Sequence, residues 1–300
     1  MGRSNGPRSG TIAIVGRPNV GKSTLINALV GEKISIVSTK PHTTRHRILG
    51  VLNRGESQAV FIDTPGHARR VQHALHRLMA RVIHESLEGC DLVIVVTEAK
   101  RTTAEDRRLF ELCKNRSERT ILVLNKIDEL KSRTSLLPRL HELGKMQFLA
   151  YVPVSARSGE NLGALVDAIF ANLPAGPALF PLDMTTDRSL RFRAAEIVRE
   201  KLLGELHQEV PYGLTVEIEH MQKGEDGRWL VHALIWLERE GHKPIVIGRE
   251  GRLLKQVGQD ARIELNGLLG GRVHLELTVK VREHWSDNEL ELKRLGFDSA

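Results

Sequence analysis

Apolar and polar residues alternate in blocks over the first 172 residues, and these blocks predict strands and helices in turn. Apolar runs predict strands at 11–15, 58–62, 120–124 and 150–154. Helical patterns begin near Lys22, Val71, Ala104, Ser135 and Asn161. Regular alternation of this kind predicts a doubly wound α/β fold with a mostly parallel sheet. A turn at 53–56 adds one antiparallel hairpin to that sheet.

A proline-rich segment then interrupts the pattern. Three prolines fall between 173 and 181, and proline continues neither a helix nor a central strand. We therefore predict an arm at 1–10, a first domain at 11–173, a linker at 174–187 and a second, smaller α+β domain at 188–300. In the second domain we expect a helix, two strands about a turn at 224–227, a strand-like run at 244–247, a helix from Arg252 and a strand at 272–281.

Composition is compatible with a two-domain intracellular protein. The 300 residues are 41% hydrophobic, enough for two separate cores. Since no apolar run reaches the length of a membrane span and the start is polar and basic, we expect a cytoplasmic protein without a transmembrane segment. Cys90 and Cys113 match no metal spacing and predict two reduced thiols.

The strand at 11–15 leads into a phosphate-binding motif. Residues 16–23 fit G-x-x-x-x-G-K-[ST], in which glycines let backbone N–H groups surround a polyphosphate. Lys22 then reaches the outer phosphates, and the Ser23 hydroxyl can ligate Mg²⁺. A glycine-rich turn at a helix start is the alternative, and the flanking strand and helix disfavour it. The predicted nucleotide contacts here are Gly16, Asn19, Val20, Gly21, Lys22, Ser23 and Thr24.

A second motif, N-K-x-D at 125–128, follows another apolar strand and indicates the base. The Asp128 carboxylate can accept hydrogen bonds from two neighbouring donors of guanine, whereas adenine presents an acceptor there. Alone, the motif could be a solvated loop; after a phosphate loop it predicts guanine recognition. Asn125 and Lys126 belong to the same site, and residues 155–157 (Ser155, Ala156, Arg157) are expected to complete the pocket through their backbone.

Between these motifs lies a predicted magnesium and γ-phosphate site. Asp63 ends a strand, so its carboxylate faces the phosphates and is expected to hold Mg²⁺. Gly66 would let its N–H approach the γ-phosphate and act as a hinge. In the polar stretch 38–47 a threonine hydroxyl could complete the metal shell. We favour Thr44, with Thr43 as the alternative.

The second domain carries G-x-x-G at 248–251, before the helix that starts at Arg252. Glycines in such a loop let a nucleic-acid backbone come close, and the helix start helps to hold phosphate. Alone, the motif is more often a tight turn, but the surrounding order of elements predicts a KH fold. The predicted RNA contacts are Gly248, Arg249, Gly251, Arg252 and Lys255.

Charge divides unevenly between the two domains. Residues 1–177 hold 26 basic and 16 acidic residues, whereas residues 178–300 hold 18 and 21. Within the second domain, residues 243–282 hold eight basic and four acidic groups, a local excess that attracts single-stranded RNA. Glu250 inside the loop should repel phosphate, lowering RNA affinity, or else pair with Arg249 or Arg252.

The order of these motifs resembles that of translation-factor-class GTPases, and the chain from about 10 to 298 resembles the Era family of bacterial ribosome-assembly GTPases. The carrying stretches are GRPNVGKSTLINALVG, TTRHRILG, DTPG, NKID, SAR, HQEVPYGLTVEIE and the segment from 247 to 281. The resemblance implies GTP/GDP and Mg²⁺ as ligands, and GTP hydrolysis assisted by Lys22, Thr44 and Gly66. It also implies a type II KH domain that binds 16S ribosomal RNA near its 3′ end during 30S subunit assembly.

Two positions leave alternatives open within that resemblance. In related GTPases an asparagine at the place of Asn19 helps to bind K⁺, which substitutes for an arginine finger; the alternative here is that Asn19 only caps the loop. His67 stands where Era-like proteins usually have an aliphatic residue. Its imidazole could orient the attacking water, but we favour a solvent-exposed side chain without that role.

Two other classes of function compete with this interpretation. A constitutive RNA-binding chaperone would have a purely structural GTPase domain, which is disfavoured because every magnesium and guanine position is filled. A membrane-linked signalling GTPase is compatible with the basic face, which permits peripheral contact at the inner membrane, but no amphipathic anchor supports it. We expect a monomer.

Overall fold

The structure is a computed structural model that describes residues 6–38, 40, 43–63, 75, 78, 85–206, 210, 213–295 and 297. The chain divides into two compact units, comprising residues 1–35, 44–69 and 79–187, and residues 36–43, 70–78 and 188–300. The helix start predicted near Val71 lies outside the described residues.

The first unit is built on a sheet whose described strands are β1 (Ser9–Val15), β2 (Ile48–Arg54), β3 (Ser57–Asp63), β4 (Leu92–Glu98), β5 (Thr120–Asn125) and β6 (Ala150–Pro153). They run across the sheet in the order β2-β3-β1-β4-β5-β6. Only β2 and β3 pair antiparallel among these described strands, so the doubly wound, mostly parallel fold with one hairpin is confirmed. The helices are α1 (Lys22–Val30), α2 (Ala104–Cys113), α3 (Leu136–Gly144) and α4 (Leu162–Asn172).

The central strands explain why the sequence reads as continuous apolar runs there. Every residue of β5 is buried, as is usual for a parallel strand covered on both faces. Val93 and Val95 of β4 pack in one cluster with Leu122 and Leu124 of β5. Cys90 and Cys113 join that cluster as free thiols, and burial raises the pKa of Cys113 to about 11.

The predicted linker follows the edge of the sheet. The backbone N–H of Val51 in β2 donates to the carbonyl of Thr185 over 2.9 Å. The fully buried Gln58 accepts hydrogen bonds from the N–H groups of Leu179 and Phe180, both 2.8 Å long. The contact to Thr185 covers a backbone N–H of edge strand β2 that would otherwise be open to another chain, and Gln58 of β3 fixes the linker beside it.

The described elements of the second unit are α5 (Leu190–Glu205), β7 (Leu214–Lys223), β8 (Trp229–Leu237), α6 (Lys243–Ile247), α7 (Arg252–Leu269), β9 (Val273–Val281) and α8 (Glu289–Arg294). The three described strands form a sheet in the order β7-β8-β9, with β7–β8 antiparallel and β8–β9 parallel. The core of this unit joins α5 and α7 to the sheet through buried residues such as Val198, Ala261 and Ile235.

One predicted element is wrong. Residues 244–247 form part of helix α6, not a strand. A four-residue apolar run does not distinguish a buried strand from a short helix, and Pro244 suits the first turn of a helix, where its missing N–H is no loss. Helix α6 ends at Gly248, whose φ of 75° favours glycine.

Candidate nucleotide and RNA sites

The loop between β1 and α1 needs both of its motif glycines for steric reasons. Gly21 has a φ of 97°, and a Cβ atom there would lie 2.4 Å from Nδ2 of Asn125. A Cβ on Gly16 would lie 2.6 Å from the carbonyl oxygen of Val96. A side chain on Gly16 would collide with backbone, and one on Gly21 would displace the Asn125 amide and strain the positive φ, so the loop is packed against β4 and the end of β5.

Lys22, the first residue of α1, turns back into this loop. Its Nζ atom donates to the carbonyl oxygens of Gly16, 2.8 Å away, and Arg17, 3.2 Å away. Burial lowers the pKa of Lys22 to about 8, with a further decrease from the charge of Arg17 and an opposing effect of Asp63. The loop therefore holds a buried cation that lacks a full counter-charge.

Asp63, at the end of β3, gathers the hydroxyl groups predicted for the metal site. Its Oδ2 accepts hydrogen bonds from Ser23 at 3.2 Å and Thr44 at 3.3 Å. The hydroxyls of Ser23 and Thr44 lie 3.0 Å apart. Thr43, the alternative to Thr44, instead donates its hydroxyl hydrogen to the carbonyl of Lys40. The three favoured residues are thus brought together, and Thr43 makes a different contact.

One carboxylate oxygen of Asp63 is available to bind a cation. Its side chain is 0% exposed, and its Oδ1 atom has no hydrogen-bond partner within the described part of the chain. Burial raises the pKa of this carboxyl group, while Lys22 and the bound hydroxyls oppose the rise. Since a buried carboxylate oxygen without a partner is costly, this donor set fits a hard, oxygen-liganded ion such as Mg²⁺.

Ser35 is a member of this cluster that no sequence motif marks. Its hydroxyl donates to Oδ2 of Asp63 over 2.8 Å, the shortest of the three hydroxyl contacts to that atom. It follows α1 in an irregular stretch, and only the fold places it beside a residue 28 positions later. Gly66, predicted to act at the γ-phosphate, and His67, for which we favour a solvent-exposed side chain, lie outside the described residues.

The base motif lies at the end of β5. Asn125 does not point outward: it donates to the Val20 carbonyl over 2.8 Å and accepts from the N–H of Ala156 over 2.9 Å. One amide thus joins three predicted segments of the nucleotide site. Asp128 is exposed, which leaves its carboxylate accessible to a ligand, and Arg157 is exposed beside the buried Ser155 and Ala156. Thr24 is half-buried in α1.

In the second unit, the G-x-x-G loop joins α6 to α7. A Cβ on Gly248 would lie 2.7 Å from Cβ of Leu253, and Gly251 has a φ of 74°. Arg252 is paired with Glu250 at 3.0 Å, which is the second of the two outcomes expected for Glu250. Arg249, Arg252 and Lys255 are at least partly exposed at the start of the 18-residue helix α7, where the N-terminal end of the helix also favours anions.

Comparison with protein families gives a match in each of two parts of the chain. A family described as 50S ribosome-binding GTPase matches residues 11–126, and one described as KH domain matches residues 209–286. GTPase Era of Xanthomonas oryzae pv. oryzae is 48% identical over 293 residues, which is 97% of each chain. GTPase Era of Stenotrophomonas maltophilia is 47% identical over 291 residues, 96% of this chain and 97% of its own.

Two solved structures resemble this chain over nearly its full length. A crystal structure of a variant of Aquifex aeolicus Era bound to GDP·AlF4⁻ matches with a TM-score of 0.93 at 40% identity, covering 97% of this chain and 100% of that one. A crystal structure of Era with MgGDPNP and nucleotides 1506–1542 of 16S ribosomal RNA matches with a TM-score of 0.92 at 39% identity, covering 98% and 100%.

Proposed function

Because this chain belongs to the Era family of GTPases, we propose that it is a GTP-hydrolysing switch that binds 16S ribosomal RNA near its 3′ end and assists assembly of the 30S subunit. The observation that carries the proposal is the cluster of Ser23, Thr44 and Asp63 beside the buried Lys22. That cluster supports the proposal because a nucleoside triphosphate and its metal require a cation, a carboxylate and hydroxyl groups in one site.

The residues that would hold the metal are Ser23 and Thr44 through their hydroxyls and Asp63 through its carboxylate. When bound there, Mg²⁺ would neutralise part of the phosphate charge. The chain supplies the rest: N–H groups of Gly16, Asn19, Val20 and Gly21 surround the phosphates, and Lys22 adds a positive charge. When phosphate enters, Lys22 exchanges carbonyl contacts for an anion, which stabilises its charged form.

Guanine selectivity is assigned to Asp128, with Asn125 and Lys126 shaping the pocket and Ser155, Ala156 and Arg157 closing it. The exposed carboxylate of Asp128 can meet the two adjacent donors of guanine. Adenine offers an acceptor at that place, so the carboxylate would lose a hydrogen bond, a difference of about 100- to 1000-fold in affinity.

Hydrolysis requires a positioned water and positive charge at the γ-phosphate. Lys22 supplies charge, the hydroxyl of Thr44 responds to the γ-phosphate state, and Gly66 provides a backbone N–H. Asn19 is exposed in the phosphate loop, and we assign it a K⁺ contact because related GTPases use an asparagine at this place for that ion. GTP turnover in KCl against NaCl tests this role, and equal rates would contradict it.

His67→Ala tests whether the imidazole at position 67 orients the attacking water. Since we favour a solvent-exposed side chain without that role, we expect the rate of GTP hydrolysis to change little.

RNA binding is assigned to the loop and helix start formed by Gly248, Arg249, Gly251, Arg252 and Lys255. Glycine at two loop positions lets a sugar–phosphate backbone approach, and three accessible cations attract it. The Era structure with nucleotides of 16S ribosomal RNA supports the identity of the partner.

The cellular setting follows from that partner. We propose a cytoplasmic monomer that acts on the 30S subunit, with peripheral contact at the inner membrane as a secondary property. Within the residues that the structure describes, helices of sufficient length and apolarity to cross a bilayer are absent. No specific observation favours the RNA chaperone with a structural GTPase domain or the membrane-linked signalling GTPase.

Nucleotide and RNA binding test the proposal together. Wild type should bind GTP at least about 100-fold more tightly than ATP, and Asp128→Asn should remove that preference. Lys22→Ala should abolish nucleotide binding while leaving the RNA affinity of the KH unit measurable. An RNA oligonucleotide of the 16S 3′ end should bind more tightly with a GTP analogue than with GDP. Equal affinity for ATP and GTP, or an RNA affinity that is the same with the GTP analogue and with GDP, would refute the proposal.

A further inference from the structure

Glu98, the last residue of β4, lies between two predicted parts of the nucleotide site and belongs to neither motif. Its Oε2 atom is 2.5 Å from Nη2 of Arg17 in the phosphate loop. Its Oε1 atom is 2.7 Å from Nζ of Lys126 in the base motif. One carboxylate therefore forms ion pairs with both loops, which are separated by more than a hundred positions in the sequence.

From this geometry we infer that Glu98 is a positioning residue that holds Lys126 and the phosphate loop in their nucleotide-binding arrangement. The inference rests on the proposed guanine nucleotide site. Glu98 would not touch the nucleotide itself. It would act through Lys126 on the base side and through Arg17 on the phosphate side.

The fold brings these groups together through the strand register. Glu98 pairs with Asn125 across the parallel strands β4 and β5, so the two strand ends lie side by side. The N–H of Ala99 donates to the Asn125 carbonyl over 2.7 Å, which locks the backbone next to Glu98. Lys126 follows with a left-handed φ of 65°, a conformation that turns its side chain away from the strand direction.

Arg17 has a second anchor that fixes its direction. Its Nε atom donates to Oδ2 of Asp106 over 3.3 Å. That carboxylate also forms the capping box of helix α2, where it accepts from the N–H and hydroxyl of Thr103, both at 2.8 Å. The phosphate loop is thus tied through Arg17 to the start of a helix as well as to Glu98.

Burial makes these ion pairs effective. The side chains of Arg17 and Glu98 are 13% and 17% exposed, and that of Lys126 is 28% exposed. Burial alone would raise the pKa of Glu98, but the hydrogen bond from Lys126 and the charge of Arg17 outweigh it, so the pKa of Glu98 is lowered. Glu98 therefore carries its charge at neutral pH, where it can hold both cations.

Holding Lys126 before the nucleotide arrives should favour binding. A free lysine side chain has many rotamers, and ordering it on binding costs entropy. Pairing with Glu98 orders the Lys126 side chain in advance, so the loss of its conformational entropy does not weaken nucleotide binding. The part of the effect that Lys126 transmits should be equal for GTP and GDP, because the base end of both nucleotides is the same.

Nucleotide affinity of Glu98→Gln tests the inference. The variant keeps the shape of the side chain and loses its charge. It should bind GTP and GDP about three- to tenfold more weakly than wild type, in line with the loss of a partly buried ion pair. Its kcat at saturating GTP and its preference for GTP over ATP should be unchanged. The matched control is Asp167→Asn, which breaks the exposed ion pair to Arg54 and should leave affinity unchanged.

Combination with Lys126→Met separates positioning from a general structural role. If Glu98 acts through Lys126, Glu98→Gln should weaken affinity much less in the Lys126→Met background than in wild type. Additive losses, or an unchanged affinity in the single variant, would overturn the inference. If Glu98→Gln does not fold, as judged by its thermal unfolding, Glu98→Asp replaces it in the same comparison, since it keeps the charge but shortens the side chain that reaches Lys126.

Failure of the Glu98 role and failure of the proposed guanine site give different outcomes in these measurements. A wild type that binds ATP and GTP equally would contradict the guanine site itself. A wild type that selects GTP while Glu98→Gln binds GTP with the same affinity would contradict only the role of Glu98.

Discussion

Nδ2 of Asn125 donates a hydrogen bond of 2.8 Å to the carbonyl oxygen of Val20, although the two residues are 105 positions apart. The same side chain accepts a 2.9 Å hydrogen bond from the N–H of Ala156. Asn125 thus connects the phosphate loop, the base motif and the segment 155–157 through hydrogen bonds of one side chain. Its donor and acceptor are both used, so an amide is the chemically suitable group here.

Replacing Asn125 by alanine should destabilise the nucleotide-free protein. The change leaves a buried carbonyl at Val20 and a buried N–H at Ala156 without partners, at a cost of about 2–4 kcal/mol. Urea denaturation measures the loss. Asn172→Ala is a matched control, since that amide bonds to a carbonyl in its own helix at an exposed site and its loss should be nearly neutral. Equal stability of the two variants would contradict the stabilising role of the Asn125 hydrogen bonds.

Lys22 should make the stability of the nucleotide-free protein depend on alkaline pH. Its pKa is about 8 in the folded protein, against 10.5 for an unperturbed lysine, so between these values the unfolded chain binds more protons. Stability should therefore rise with pH across this window relative to Lys22→Met, by about 1–3 kcal/mol. Below pH 8 both the folded and the unfolded chain hold the proton, and the difference should be constant.

Urea denaturation of both proteins across this alkaline window, without nucleotide or metal, measures that difference. Both cysteines are present in the two proteins, so their contribution to the pH dependence cancels. A stability difference that does not change with pH would show that Lys22 has an ordinary pKa in the folded protein.

Gln58 should control whether the segment after α4 stays on the sheet edge. Gln58→Ala removes the acceptor for the N–H groups of Leu179 and Phe180 and the donor to the Phe180 carbonyl. We expect thermolysin, which cleaves before apolar residues, to hydrolyse the Ala178–Leu179 bond several-fold faster than in wild type. Gln256→Ala, which removes an exposed glutamine that bonds to Asp260, serves as the control and should cleave at the wild-type rate. Unchanged cleavage of Gln58→Ala would refute this role.

Glu250 should reduce the RNA affinity of the G-x-x-G loop. Glu250→Gln removes a negative charge from the loop and frees Arg252 from its ion pair, so single-stranded RNA should bind about two- to fivefold more tightly at fixed salt. Fluorescence anisotropy with the 16S 3′ oligonucleotide measures the change. Glu225→Gln alters the same charge in the exposed β7–β8 turn and should have a smaller effect. Weaker binding by Glu250→Gln would contradict the prediction.

Local patterns were sufficient for most of the elements. The starts of α1, α2 and α4 lie within one residue of the predicted Lys22, Ala104 and Asn161, because periodicity and flanking turn residues are local signals. The strand predicted at 244–247 was wrong because a run of four apolar residues fits either element. Its helical state depends on the neighbouring proline and glycine and on packing against the second core.

The amino-acid sequence determined the chemistry available to this protein: the two glycines, Lys22, Ser23, Asp63 and Asp128 stand in motifs whose spacing alone indicates a phosphate cradle and a guanine contact. Tertiary structure decided which of two adjacent threonines reaches Asp63, and it added Ser35 and Glu98, which no motif marks. The physical reason is the separation along the chain over which each kind of interaction acts. Turn and helix signals act over a few residues, whereas hydrogen bonds and ion pairs between strand ends exist only once parallel strands distant in sequence lie side by side.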